Sequence, residues 1–420
     1  MAVDWRVVMK VLYLNNIYQG GGAEKVTRQL YYGMKNVGVE SYLLTGYDDG
    51  IETAAGDSNI EALYSGRYAK EFAVLRGCLH NNALPVNKRL RKKLCAMIEE
   101  NDIDVLHINN AHGNYIGIED IAYLSEYVKV VWTLHDMWAV TGHCAHAFDC
   151  TGWKTMECGR CENKRTYPAF YYNNIKAVHK KKKDSFTGHG ITFVTPSDWL
   201  AGICRQSYLK NEHIITINNG VDMSEFGICD RQELKKRYNV PDGKKVILFA
   251  AANLNNEYKG FSYLAQALDK LDNKSDYYLL VIGQGLGDSV ISREFGIKEF
   301  GYVSTTAMMN EIYAMADVFI IPSVAENFPC VALEALASGT PVIGSDAGGI
   351  PEIVSKDVGW IFPSRDSAAL AQTISSAFSN TKQLDMMRPA CRCRAEKLYT
   401  LDGMLEKYKC LYEELCRNNA

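Results

Sequence analysis

Two glutamates, Glu326 and Glu334, flank the run Asn-Phe-Pro-Cys-Val-Ala-Leu. Upstream, Val-Phe-Ile-Ile at 318–321 reads as a buried strand, and downstream Ala-Leu-Ala-Ser-Gly-Thr-Pro at 335–341 reads as the end of a helix. The spacing predicts a helix over 329–338, with Phe328 as its cap and Pro329 as its first residue, where a missing N–H costs nothing. Gly339 then closes the helix at the position that favours a left-handed residue. Such a helix points its first N–H groups, at about Cys330 and Val331, toward the mouth of a parallel sheet, an arrangement that binds phosphate oxygens. Carboxylates repel phosphate, so Glu326 and Glu334 are expected to accept hydrogen bonds from hydroxyls on either side of it. A diphosphate with polyols on both sides is a nucleotide sugar.

Other residues could serve the same ligand. Gly20-Gly21-Gly22-Ala-Glu24 follows the first apolar run and opens a helix at about Ala23, leaving backbone N–H groups near a ligand. Lys259-Gly260 lies in the loop after the first strand of the second half, where an ammonium can neutralise a diphosphate leaving group. Gly283 and Gly285 follow a strand ending Leu-Val-Ile. His135 ends what reads as the fourth strand, and Asp136 is expected to orient or cap the loop beside it. Asp102-Ile-Asp104 has the form of a metal–diphosphate motif but precedes a strand, so no obligate divalent ion is expected for catalysis. Cys144, Cys150, Cys158 and Cys161, with His143 and His146 among them, end in a Cys-x2-Cys half-site; structural zinc, free thiols and disulfides all stay open. Basic clusters at 88–93 and 180–183 read either as solvated helix faces or as a cationic face resting on anionic lipid.

The chain of 420 residues suits two domains of roughly 200 residues each. Twelve short apolar runs, with helical stretches between them, predict two doubly wound parallel sheets. They lie at 11–14, 42–45, 105–108, 130–134, 191–195 and 214–217, then at 246–250, 278–282, 299–303, 318–321, 341–344 and 359–362. The first domain is expected over 1–218, the second over 219–399. No apolar run approaches the ~20 residues of a membrane span. The N-terminus lacks the pattern of a secretion signal, and the residues before Met9 read as an extension. A net charge of −3 gives no reason to propose nucleic acid. An odd count of 13 cysteines points to a reducing cytoplasm.

The Glu-x7-Glu pattern resembles the retaining glycosyltransferases of family 4, and the likeness runs through nearly the whole chain. It takes in Gly20-Gly-Gly-Ala-Glu24, Trp132-Thr-Leu-His135-Asp136, Thr195-Pro-Ser-Asp-Trp-Leu200, Asn218-Asn-Gly-Val-Asp222, Lys259-Gly260 and Gly348-Gly-Ile-Pro-Glu352. The segment from Thr133 through the four cysteines resembles the bacterial surface-polysaccharide branch. The resemblance implies a GT-B fold, in which two Rossmann-like domains face a central cleft and a C-terminal helix, 400–420, crosses back to the first, acceptor-side domain. It implies His135, Lys259 and Glu326 as catalytic residues, with Glu334 on the ribose. It also implies donor contacts from Gly21, Gly22, Asn253, Gly283, Gly285, Tyr302, Val303, Asn327, Phe328, Pro329, Cys330 and Val331. Asn253 departs from the pattern, because an arginine commonly stands six residues before the lysine. The implied activity moves a sugar from a nucleotide-sugar donor to a glycan or lipid-linked glycan, at the inner face of the plasma membrane. A sugar-nucleotide 2-epimerase of the same fold, or a non-catalytic binding subunit, are the other readings. The Glu-x7-Glu pattern with Lys259-Gly260 and Gly21-Gly22-Ala-Glu24 favours transfer over epimerisation, and the presence of His135, Lys259 and Glu326 speaks against a non-catalytic subunit.

Overall fold

The computed structural model describes residues 8–49, 51, 56–66, 68–159, 161, 164–172, 174–285, 291 and 294–417, so the expected extension before Met9 lies almost wholly outside the described residues. Backbone contacts divide the chain into two units, Met1–Asn218 with Leu405–Ala420, and Asn219–Met404.

In unit 1 seven parallel strands form one sheet: β1 (Lys10–Asn15), β2 (Glu40–Tyr47), β3 (Ile60–Tyr64), β4 (Val105–Ile108), β5 (Lys129–Thr133), β6 (Thr192–Thr195) and β7 (His213–Thr216). Their order is β3-β2-β1-β4-β5-β6-β7. Parallel strands covered on both faces must be apolar throughout, and β4 is buried along its full length. β3 escaped the apolar-run reading because Ile60-Glu-Ala-Leu-Tyr64 is an edge strand with only Ile60 and Leu63 buried. His135 therefore follows the fifth strand, not the fourth.

Helix α1 (Gly22–Asn36) buries Val26, Leu30 and Met34 at i, i+4 spacing. Helices α2 (Ala69–Leu79) and α3 (Lys88–Asn101) follow β3. Asn87 caps α3, its side chain accepting from Leu90 N at 3.2 Å.

Unit 2 holds six parallel strands: β8 (Lys245–Asn253), β9 (Tyr277–Gln284), β10 (Gly296–Gly301), β11 (Val318–Ile321), β12 (Val342–Ser345) and β13 (Gly359–Phe362). Their order, β10-β9-β8-β11-β12-β13, repeats that of the first six strands of unit 1. The edge strand β10 starts and ends earlier than its expected span of 299–303, because Lys298 and Glu299 sit inside it and break the apolar run.

The loop after β11 leads into α4 (Cys330–Ala337), whose Ala332, Leu333, Ala335 and Leu336 are buried. The final helix α5 (Leu401–Arg417) joins unit 1 from Leu405 onward. There Leu405 lies so close to Gly33 of α1 that a β-carbon at position 33 would stand 2.5 Å from its Cδ1. Tyr408 and Tyr412 reach the buried Thr133 and His107 through hydrogen bonds of 2.8 and 2.6 Å. Among the described residues no helix is long and apolar enough to cross a membrane.

Candidate functional site

In each sheet the strand order reverses once, between β1 and β4 in unit 1 and between β8 and β11 in unit 2. The carboxyl ends of strands at such a reversal form the crevice where open α/β sheets bind ligands. The chemistry-bearing residues gather at both reversals.

In unit 2, β8 ends at Asn253 and a single 3₁₀ turn, Glu257–Lys259, follows. Gly260 has φ +71°, and a β-carbon there would stand 1.9 Å from the carbonyl oxygen of Pro322. Only glycine allows this turn to lie so close to the end of β11. The close approach brings Lys259 to Glu326, with Nζ 2.5 Å from Oε1. Ser323 Oγ donates to the same oxygen at 3.2 Å. Glu326 itself is held from the far side by Gly348, whose absent β-carbon would fall 1.7 Å from the Glu326 carbonyl oxygen. Gly349 N donates to Asn327 O at 2.9 Å.

Helix α4 begins at Cys330, and Pro329 is its cap rather than its first residue. With ψ at 118°, Pro329 is extended, and Phe328 turns into the core against Tyr399, ring centroids 5.6 Å apart. One turn along, the buried Glu334 accepts a 3.0 Å hydrogen bond from the buried Tyr313 hydroxyl. Burial pushes the Tyr313 phenol well above its ordinary range, and the Glu334 charge adds to the effect. Tyr313 therefore remains a donor to the carboxylate. At the end of β9, Gly283 has φ +130° and a β-carbon there would stand 1.8 Å from Ala251 O. Gly285, at φ +97°, packs on Asn255 and Asn253. Asn253 is exposed, and its Oδ1 accepts from Asn255 N at 2.9 Å. Tyr302 is exposed and Val303 half-buried just beyond β10.

In unit 1, Gly21 is the cap of α1, and its N–H donates to Glu24 Oε2 at 2.8 Å. Gly22 rather than Ala23 is the first helical residue, since the Glu24 carboxylate satisfies the N–H just ahead of it. Asn110 Nδ2 meets Glu24 Oε1 at 3.5 Å, and Asn110 N donates to Asn15 Oδ1 at 3.2 Å. His135 Nε2 donates to Asn109 Oδ1 across 3.1 Å. Asn109 is buried, and its Nδ2 has no hydrogen-bond partner, an unmet donor that a ligand hydroxyl would satisfy. Asp136 caps its own turn, Oδ1 accepting from Trp138 N at 2.7 Å, while Oδ2 meets His112 Nε2 at 2.7 Å. His112 Nδ1 in turn lies 3.1 Å from the Tyr167 hydroxyl.

Burial lowers His135 to about 4; Asp136 opposes this fall and His112 reinforces it. His135 is thus a neutral imidazole near pH 7, able to give or accept a hydrogen bond but not to supply a charge. Burial alone would raise the Asp136 carboxyl, yet His112 and the Trp138 N–H hold it below its usual range. Sequence reading missed Asn109, Asn110, His112, Tyr313 and Ser323 as members of these clusters. Asn109 and Asn110 follow directly on β4, and their place at a strand's carboxyl end is the one signal that could have found them.

Asp102 and Asp104 have local structural tasks: Asp104, just before β4, accepts from Lys10 N at the start of β1 at 2.8 Å, and Asp102, at φ +49°, terminates α3. Of the four cysteines, Cys144 is buried and Cys150 exposed, and Cys161 Sγ lies 3.5 Å from His143 Nε2. Burial pushes the Cys144 thiol up to about 12. Among the described residues none of the cysteines forms a disulfide, and no group of three or more His, Cys, Asp or Glu is arranged to hold a metal ion. As arranged here, the four do not fit a closed thiolate site.

The basic clusters are only in part a cationic surface. Lys182 is buried, donating to Trp138 O at 2.7 Å and Thr141 O at 3.2 Å, with its ammonium 3.6 Å from the centre of the Trp138 ring. Burial lowers it to about 7. It braces the loop after His135 and cannot meet lipid. Arg91, Lys93 and Lys181 are paired with Asp120, Glu61 and Glu119. Lys88, Arg89, Lys92, Lys180 and Lys183 remain exposed.

Comparison with known proteins covers both halves. Residues 20–225 match the family model described as Glycosyltransferase Family 4, and residues 230–393 match Glycosyl transferases group 1. A protein of Escherichia coli (strain K12) named for colanic acid biosynthesis, the glycosyl transferase WcaC, is 24% identical over 97% of this chain and its own full length. The N-acetyl-alpha-D-glucosaminyl L-malate synthase of Bacillus anthracis is 23% identical over 80% of this chain and 81% of its own. Among solved structures, the sucrose-phosphate synthase of Thermosynechococcus elongatus superposes with a TM-score of 0.72 at 16% identity, covering 97% of this chain and 99% of that one. Anabaena Alr3699/HepE in complex with UDP gives 0.70 at 16% identity, covering 97% and 100%. The fold is the two-domain α/β architecture of these structures, GT-B.

Proposed function

We propose that this chain, which belongs to the glycosyltransferases through a family 4 half and a group 1 half, moves a sugar from a nucleotide-sugar donor to a hydroxyl of a growing glycan in surface-polysaccharide assembly. The names of WcaC and of the UDP complex of HepE support the pathway class and the donor class. The single observation that carries the reading is the Lys259–Glu326 pair beside the N-terminus of α4, at the point where the unit 2 strand order reverses.

In this proposal the diphosphate meets Lys259 and the first N–H groups of α4. The phosphates compete for an ammonium that otherwise rests on Glu326. Drawing Lys259 toward phosphate leaves the Glu326 carboxylate to accept hydrogen bonds from sugar hydroxyls. As the glycosidic bond breaks, negative charge grows on the leaving diphosphate, and a fixed ammonium stabilises that charge more than it stabilises the ground state. Glu334, held by Tyr313, takes the ribose hydroxyls. His135 and Asn109 in unit 1 offer neutral hydrogen-bonding groups to the reacting sugar or the acceptor.

Transfer with retention of anomeric configuration and a lipid-linked acceptor belong to the same proposal, as does independence from divalent ions. Asp104 being engaged by Lys10 N at the start of β1 supports the last point. For a structural zinc only the cysteine spacing speaks, since no three of these side chains are arranged to hold a metal ion among the described residues. Elemental analysis of purified protein tests it at about one equivalent.

The deciding experiment is a thermal-shift screen with UDP-, GDP- and ADP-sugars, followed by mass and anomeric analysis of the product formed on glycan acceptors in the presence of EDTA. A donor that raises Tm and gives a product one sugar heavier carries the proposal. Interconversion of the nucleotide sugar without an acceptor would replace transfer by epimerisation.

A further inference from the structure

Helix α2 is turned the wrong way round for a soluble protein. Its inward side is small: Ala73 and Gly77 are buried, and a β-carbon on Gly77 would fall 2.3 Å from Asn114 Nδ2. Its outward side is large and apolar. Tyr68, Phe72, Leu75 and Leu79 follow one another at intervals of four, three and four residues, and thus lie along one stripe of the helix. Phe72 is 69% and Leu79 62% exposed, and Val74 beside the stripe is exposed as well. Contiguous exposed apolar surface of this kind marks an interaction site.

Charge beside the stripe selects the partner. A cavity of about 390 Å³ opens between α2 and the start of α3, lined by Tyr64, Tyr68, Phe72, Arg76 and Arg89 among others. The Arg89 guanidinium lies 5.0 Å and that of Arg76 5.8 Å from the centre of the same Tyr64 ring. Arg76 Nε is buried without a hydrogen-bond partner. No carboxylate is among the described residues lining the cavity. Lys88 and Lys92 of α3 are exposed nearby in sequence; on α2, Lys70 is paired with Asp49, and Glu71 is the helix's one acidic side chain. An apolar stripe beside two guanidiniums that share a pocket fits a surface whose apolar interior lies under a layer of anions.

We propose that α2 docks on an anionic phospholipid bilayer, its stripe entering the interfacial layer while a lipid phosphate sits between Arg76 and Arg89. This deepens the reading of a lipid-linked acceptor and rests on it for its purpose, though the binding itself does not depend on catalysis. Interfacial helices bind through buried apolar area together with attraction to anionic lipid.

The test is sedimentation with vesicles of phosphatidylcholine alone and of phosphatidylcholine with about 30 mol% phosphatidylglycerol. The parent is expected to pellet with the anionic vesicles and to be released as salt rises. Phe72→Ser with Leu79→Ser, both at exposed positions and so compatible with folding, should weaken binding at least about tenfold. Arg89→Glu should do the same at an unchanged Tm. Transfer to a water-soluble acceptor should be unaffected in these variants, whereas transfer to an acceptor embedded in the vesicles should fall. Equal pelleting of parent and double variant would overturn the proposal. So would a parent that ignores anionic vesicles, or a dimer in light scattering that the double variant dissociates. Vesicle binding without any transfer would leave this docking intact and remove the glycosyltransfer reading instead.

Discussion

Unit 2 builds its candidate ligand edge from groups that carry formal charge: Lys259 and Glu326, with Glu334 on the helix that follows. Unit 1 assembles its edge from Glu24 in the first turn of α1, Asn109, Asn110 and His112 after β4, and His135 and Asp136 after β5, paired by side-chain hydrogen bonds. All nine histidines of the chain fall between positions 80 and 213, so unit 1 holds every one and unit 2 none. Three of those in unit 1, His107, His135 and His179, are driven by burial to about 3, 4 and 4. The contrast separates two ways of handling a sugar nucleotide. In the proposed function the formal charges and fixed backbone of unit 2 meet the diphosphate and the donor's hydroxyls, whereas unit 1 offers the neutral His135 and Asn109, the protonation of His135 being set by burial.

The largest effect should come from breaking the charged edge. Glu326→Gln is expected to leave Tm nearly unchanged and to lower kcat roughly 100-fold, the upper end of the ~1.5–3 kcal/mol that a hydrogen bond to a charged group contributes. The matching change in unit 1, His135→Asn, keeps a neutral hydrogen-bonding group and should cost about tenfold, within the range of a neutral hydrogen bond. Steady-state kinetics on both variants tests the order. A His135 loss exceeding the Glu326 loss would invert the comparison.

Lys259→Ala sharpens it. Because diphosphate charge grows in the transition state, kcat should fall about 30-fold while donor affinity weakens only a few-fold. Loss of affinity at constant kcat would assign Lys259 to ground-state binding. It would also mean that the pairing with Glu326 positions the carboxylate rather than the ammonium.

The histidine asymmetry predicts an uneven response to acid. In the unfolded chain an imidazole takes its proton near pH ~6.5, whereas the half-buried His135 and the buried His179 take theirs near 4. Between those values the unfolded chain binds more protons, so stability falls as pH drops through the window. Each unit of separation corresponds to about 1.4 kcal/mol for a fully buried group. Hydrogen exchange at pH 5 should therefore show the sheet of unit 1 losing protection before that of unit 2. His179→Gln, which removes one such group away from the ligand edge, should flatten the pH dependence of Tm. If both units lost protection together, burial of the histidines would not control acid stability.

The same contrast explains what could be read from the chain alone. The parallel strands were legible because burial on both faces forces apolar runs; β3, buried at only two positions and lying at an edge, left no run to read. The unit 2 site was legible because glycines at strained turns and a helix start print themselves into contiguous motifs, as at Gly260 and Gly348. The unit 1 network was not. Asn109 and His112 differ in no local way from loop residues, and only the parallel pairing of β4 with β5 brings Asn109 to His135. The basic run at 180–183 misled for a related reason: one lysine of the four turns inward, and composition carries no sign of which.

The smallest effect tests how far charge in unit 2 depends on a neutral partner. Tyr313 is buried and packs edge-on against Phe319, with centroids 5.3 Å apart, while its hydroxyl donates to Glu334 at 3.0 Å. Tyr313→Phe keeps the ring and removes only that donor. A net hydrogen bond is worth about 1 kcal/mol, so the Glu334 carboxylate should lose orientation rather than its place. Tyr313 acts through Glu334 and is a positioning residue, which sets the readout. KM for the donor should rise about three- to fivefold with kcat held, as expected when an interaction common to ground and transition states is weakened. A merely structural role would lower Tm and leave ribose selectivity alone. If Glu334 meets the ribose, the parent should prefer a ribonucleoside diphosphate to its 2′-deoxy analogue, and Tyr313→Phe should narrow that preference. An unchanged preference in the variant would detach Tyr313 from the ribose and leave its hydroxyl with no task but to satisfy a buried carboxylate.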